Sequence, residues 1–143
     1  MIHRNTEPFP IYDSILFDII IADDNEEIDA VLEPKDRDGE YFACATKTYF
    51  KKDENSIPVK SVMVIFNTNA GELAPVTPKI IVHEAVHVKN MVFLTIGHKN
   101  TTKGGGDEPE AYFVEWIFGK ISEELEIYNK LRDERQNHTT SNK

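Results

Sequence analysis

A second cysteine is missing from this chain of 143 residues, so the lone Cys44 cannot close an internal disulfide. Nothing in the cysteine usage therefore argues for secretion. Also missing is an uncharged apolar run of the ~18 residues that a transmembrane helix needs. The longest apolar stretches are broken by Asp18 and by His83 and Glu84, so no membrane partner is expected. Clustered basic residues are scarce as well. Beyond the pair Lys51-Lys52 there is no Lys/Arg patch, and the formal net charge is −9. That balance disfavours nucleic acid and anionic lipid as partners and reads as a solubility feature. The opening Met1-Ile2-His3-Arg4 is polar and shows no charged, apolar, small-residue leader. A soluble, cytoplasmic protein is expected. Internal repeats and low-complexity segments are absent too.

What is present is enough chain for one self-sufficient domain. Residues Met1 to Pro10 carry two prolines and read as an arm or leading loop. The β-branched run around Ile15 to Ile21 predicts a strand, followed by the acidic loop Asp23 to Glu27. The segment Ile28 to Glu33 leads through the turn residues Pro34 to Gly39 into Tyr41–Phe50, a pattern that predicts a hairpin. Val59–Asn67 is a third strong strand. Thr77-Pro78 then marks a helix start and Gly97 its stop. A second long helix opens at Asp107-Glu108-Pro109-Glu110 and is expected to end near Leu131, leaving residues 132–143 as a disordered polar tail. The fold class predicted is α+β, one domain over residues 1–131: a small twisted mixed sheet, a central helix and a long C-terminal helix.

The central helix carries His83-Glu84-Ala85-Val86-His87. On a helix the two histidines are one turn apart on one face, with Cβ atoms roughly 5–6 Å apart, as two ligands of one metal ion require. Between them Glu84 is placed to act as a general base. The HExxH pattern arises by chance in about one chain of this length in a few hundred, so its surroundings matter. Apolar residues recur around most of this helix, which predicts burial on all sides. Polar side chains stranded there call for a partner, and a Zn²⁺ ion supplies one.

A catalytic zinc needs a third protein ligand and an open position. The extended pattern with a third histidine on the same helix is excluded, because Asn90 and Phe93 stand where glycine and histidine would be needed. The remaining donors are the carboxylates Asp107, Glu108 and Glu110 at the start of the next helix. On a helical wheel Glu110 points closer than Glu108 to the stripe of Val114, Phe118 and Ile121.

The sequence from Thr77 to Phe118, with His83-Glu84-Ala85-Val86-His87 followed by Glu108-Pro109-Glu110-Ala111-Tyr112, resembles the small HExxH…EPxAY proteins of phage and prophage genomes. More distantly it resembles the compact glutamate-type zincin metallopeptidases. That resemblance implies a minimal zincin-like domain with Zn²⁺ on His83, His87 and Glu108, with Glu110 as the alternative third ligand. It also implies that Tyr112 faces the metal and hydrogen-bonds a tetrahedral oxyanion. The expected reaction is hydrolysis of a peptide or protein substrate, with Glu84 moving the proton from water to the leaving amine. By the same resemblance Val59–Asn67 would be the sheet edge along which an extended substrate pairs. If phage-encoded, the protein would work in the host cytoplasm or the virion.

Two plainer readings stand beside this one. The chain could keep the zincin fold and the metal for a structural or partner-binding role, or HExxH could be accidental in an acidic binding protein. Residue by residue, His3, His98 and His138 are expected to be solvated. Trp116 and Phe118 read as core aromatics, and Lys51-Lys52 as an exposed turn.

Overall fold

A computed structural model describes residues 1–70, 76–97 and 108–141, with side chains at 1–70, 76–97 and 109–138. Four strands form one mixed sheet: β1 (Ile2–Pro8), β2 (Leu16–Ala22), β3 (Ala43–Phe50) and β4 (Val59–Asn67), in the order β1-β2-β4-β3. β1 runs antiparallel to β2, β2 parallel to β4, and β3 antiparallel to β4. Among the described residues three α-helices join them: α1 (Asn25–Val31), α2 (Pro78–Ile96) and α3 (Glu108–Ser141). The α+β class with a small mixed sheet is therefore present. No described helix is long and apolar enough to cross a membrane.

The sheet is covered on both faces. Phe17, Ile19 and Ile21 of β2 and Val62, Val64 and Phe66 of β4 point one way, into the main core with α2 and α3. Ile20, Ala22, Met63 and Ile65 point the other way, onto Ile28 of α1 and Leu32. Both faces being buried explains why β2 and β4 read as continuous apolar runs.

The first ten residues are not a loop. β1 is polar because its partners are polar: Arg4 and Thr6 both donate to Asp18 on β2, while His3 pairs with Glu124 and Glu7 with Lys120 on α3. His3 is thus tied to α3, not solvated. A strand satisfied by cross-element ion pairs shows no apolar alternation for a sequence to reveal.

The segment after β2 also differs from expectation. Residues 25–31 are a helix, so Ile28 to Glu33 is no hairpin arm, and β3 pairs with β4 instead. Asp24 is the N-cap, accepting from the backbone of Glu26 and Glu27, and both glutamates lie in the first turn. The run Asp23 to Glu27 is thus a helix start, not an acidic loop, because a capping Asp followed by first-turn glutamates suits the N-terminal end of the helix dipole.

α2 begins and ends where the sequence places it. Thr77 caps it by accepting from the Ile80 N–H, Pro78 occupies the first turn, and Gly97 closes it at φ 73°. Aromatic packing seats α3 on α2 and on the turn after β1. Phe93 stacks on Phe113 with ring centroids 5.6 Å apart, and Tyr12 sits edge-on to both. Trp116 packs on Phe9 and Phe17, as expected of a core aromatic. α3 does not stop near Leu131: its backbone is helical to Ser141. The polar residues beyond Tyr128 lack an apolar stripe, so packing does not require this last segment to be helical, and Asp133 to His138 are exposed.

One backbone position is strained. Ile11, in the turn between β1 and β2, has φ 67° and is 90% exposed, with the Tyr12 N–H bonded to the Pro10 carbonyl around it. A β-branched residue is disfavoured there and makes no burial gain in return. Ile11→Gly should therefore stabilise the fold by about 1 kcal/mol, read from the denaturant midpoint. An unchanged or lower midpoint would show that the turn relaxes without cost.

Candidate metal centre

α2 lies against β3 and β4 and turns two faces in different directions. Ile81, Glu84, Ala85, Val88, Lys89, Val92 and Phe93 are buried. His83 and His87 are on the outer side with Val82 and Val86, which are 43% and 41% exposed. Contrary to what its composition predicts, the helix is not buried all round, and the histidines are not stranded in the core. The physical reason is that the sheet and α3 cover only part of its circumference, leaving valines on the outside.

The helical spacing does bring the two imidazoles together. Their Nε2 atoms are 3.2 Å apart and their ring centroids 4.8 Å apart. Two nitrogens bound to one tetrahedral zinc at about 2.0–2.1 Å would be about 3.3 Å apart. The pair therefore meets the spacing that a shared metal ion requires, with both side chains open to solvent.

Glu84 is placed differently from its neighbours. It is 5% exposed, and its Oε2 has no hydrogen-bond partner among the described residues. Burial pushes its carboxyl pKa up, against the opposing pull of His83 and His87. An unpartnered buried carboxylate costs folding energy and calls for a functional account. Its charge also reaches β3: burial, then Glu84, then Asp38 push the Cys44 thiol up to about 11.

The third-ligand candidates separate here. Glu110 forms an ion pair with Lys89, a buried lysine on α2 that also lies over the Phe93 ring. Lys89 belongs to no motif in the sequence. Its signal is its place on the buried stripe, one turn after Ala85, where an ammonium group must find a carboxylate. The structure thus gives Glu110 a cation as partner. Asp107, His98 and the side chain of Glu108 lie outside the described residues. Among the described residues no cluster of three His, Cys, Asp or Glu side chains is assembled.

Tyr112 is 67% exposed and lines a shallow groove on α3 with Glu115, Trp116, Gly119, Lys120 and Glu123. That groove contains neither histidine. The expected edge strand also moves: β4 is interior, flanked by β2 and β3, so its backbone is already paired on both sides. The edge on the α2 side is β3. No family model, curated protein or solved structure matches the chain.

Proposed function

We propose that this protein is a zinc-dependent peptide hydrolase with a minimal zincin-like fold, of the phage or prophage type that its HExxH…EPxAY sequence resembles. The observation that carries the reading is a pair of imidazole nitrogens 3.2 Å apart, flanking a buried carboxylate with an unpartnered oxygen. His83 and His87 would hold the metal, with Glu108 as third ligand by the resemblance. Zinc bound there supplies positive charge at the reacting carbonyl and acidifies water.

The chain's own groups do the rest. Glu84, with its pKa raised by burial, accepts a proton from the attacking water and returns it to the departing amine. β3, the edge strand, is the segment open to an extended substrate, in place of β4. Lys89 holds Glu110 and so fixes the start of α3 beside α2.

Elemental analysis of the purified protein tests the site. The wild type should carry one zinc per chain, and His83→Ala should lose it; equal zinc in both would remove the histidine assignment. A companion pair locates the third ligand. Glu108→Ala should weaken zinc binding without loss of fold. Glu110→Ala should instead lower stability by about 2 kcal/mol, because it leaves buried Lys89 unpaired. If Glu110→Ala releases zinc and Glu108→Ala does not, the ligand is Glu110.

A further inference from the structure

The outer face of α3 carries a groove lined by that helix alone. Its volume is about 480 Å³, and its lining is Tyr112, Trp116, Gly119 and Glu123, with Glu115 and Lys120 beside them. Steps of four, three and four residues place the first four on one side of the helix, over about three turns. The opposite side carries Phe113, Ile117 and Ile121 into the core.

Gly119 is the first sign that a partner fills this groove. It stands in the interior of a 34-residue helix, where glycine lowers helix stability relative to alanine. A Cβ placed there meets no atom within 4 Å, so no contact among the described residues requires the missing side chain. A bare Cα does permit close approach by another backbone. Charge is the second sign. One turn to either side of Gly119 stand Glu115, which is exposed and has no ion-pair partner among the described residues, and Glu123, whose side chain is 63% exposed and 3.9 Å from Lys120 Nζ. That ammonium is held more closely by Glu7 at 2.7 Å and by buried Glu124 at 3.2 Å. The groove is therefore acidic, and its two aromatic rings, Tyr112 and Trp116, present faces that attract cations.

We propose that this groove docks a basic helical segment of a partner protein, with the partner backbone closest at Gly119 and its Lys or Arg side chains meeting Glu115 and Glu123. Such a segment answers both signs at once: a helix of about three turns matches the length of the groove, and its cations match the carboxylates and the aromatic faces. A second copy of this chain fits less well. With Gly119 at a twofold crossing of antiparallel helices, Glu115 of one copy would lie opposite Glu123 of the other, and two chains of net charge −9 repel. The groove contains neither histidine, so the proposal does not rest on the metal reading.

Trp116 is the chain's one tryptophan, so its emission reports occupancy of the groove directly. The probe is an alanine-based helical peptide of about 18 residues with arginines on one face, titrated into the full chain at low salt; its twin with glutamates in those places is the control. The arginine peptide should bind saturably with Kd below about 100 μM, and the glutamate peptide should not bind. Glu115→Gln/Glu123→Gln should weaken binding at least about tenfold. Glu33→Gln/Glu54→Gln, which removes the same charge outside α3, should change it less than about twofold. Gly119→Ala should weaken binding several-fold while raising the folding equilibrium constant about fivefold in denaturant unfolding, opposite signs that a glycine kept for the fold alone does not give. The proposal is overturned if the arginine peptide shows no saturation up to about 1 mM, if the glutamate peptide binds equally well, if the two charge-removing pairs weaken binding alike, or if Gly119→Ala leaves the affinity unchanged. Sedimentation velocity examines the second copy: the wild type should be a monomer, and a dimer that Gly119→Ala dissociates would assign the groove to self-association and overturn the proposal. Circular dichroism of each variant separates loss of binding from loss of fold.

Discussion

Glu84→Gln should lower peptide hydrolysis about a hundred- to ten-thousand-fold while zinc stays bound. Glutamine keeps the size and shape of the side chain and removes its capacity to take a proton. The same change should leave thermal stability equal or higher. Glu84 is 5% exposed with an unpartnered oxygen, so the charged form pays a desolvation cost that a neutral amide does not. Lost activity with retained zinc and no loss of stability is what a proton-transfer group predicts. A carboxylate held for structural reasons would show the opposite balance, with stability falling. Turnover of an unfolded protein such as casein, zinc content and the melting curve are the three readouts. Equal turnover in variant and wild type would falsify the base assignment. Bound zinc with no turnover in either would favour the reading in which the metal serves a structural or partner-binding role.

Arg4→Met should cost about 3 kcal/mol of stability. Arg4 grips Asp18 with two bonds, Nε to Oδ1 at 3.0 Å and Nη2 to Oδ2 at 2.7 Å. Asp18 is 1% exposed, in the middle of β2. Methionine keeps the apolar stem of the side chain but leaves the carboxylate with Thr6 Oγ1 as its remaining side-chain partner. A buried charge without its counter-ion is what makes the loss large. Replacing the charge as well, in Arg4→Met/Asp18→Asn, should recover part of it, because a neutral amide is cheaper to bury than an unpaired carboxylate. Denaturant unfolding of the two variants gives the comparison. A cost under about 1 kcal/mol for Arg4→Met would mean that the pair behaves as a solvent-screened surface bridge.

Asp18 also shows where reading a sequence runs short. In the run Leu16 to Ala22 it is the one charged residue, and alone it weakens the reading of a buried strand. Paired with Arg4 it anchors β1 to β2 and makes the largely polar segment Ile2–Pro8 an edge strand. Lys89 and Glu110 repeat the lesson on the other side of the sheet. As isolated residues they read as a polar intrusion and a possible metal ligand; together they are an ion pair that seats α3 on α2. In each case a buried charge is uninterpretable until its partner is known, and the partner is far along the chain.

Features governed by local backbone chemistry were legible. Caps, proline at the first helical turn and the left-handed glycine set the bounds of α2, and β-branched runs marked β2 and β4, because these signals act within a few residues. Helical periodicity placed His83 beside His87 for the same reason. The N-cap of α1 obeys these rules too: Asp24 followed by Glu26 and Glu27 is a local signal of a helix start.

What the sequence by itself determined is the α2 segment, its paired histidines and the α+β class. Which strand is the sheet edge, which face of α2 stays exposed and which cation holds Glu110 were decided only by the tertiary structure. Strand order, burial and ion pairing depend on contacts between residues distant in the chain, and periodicity carries no information about those contacts.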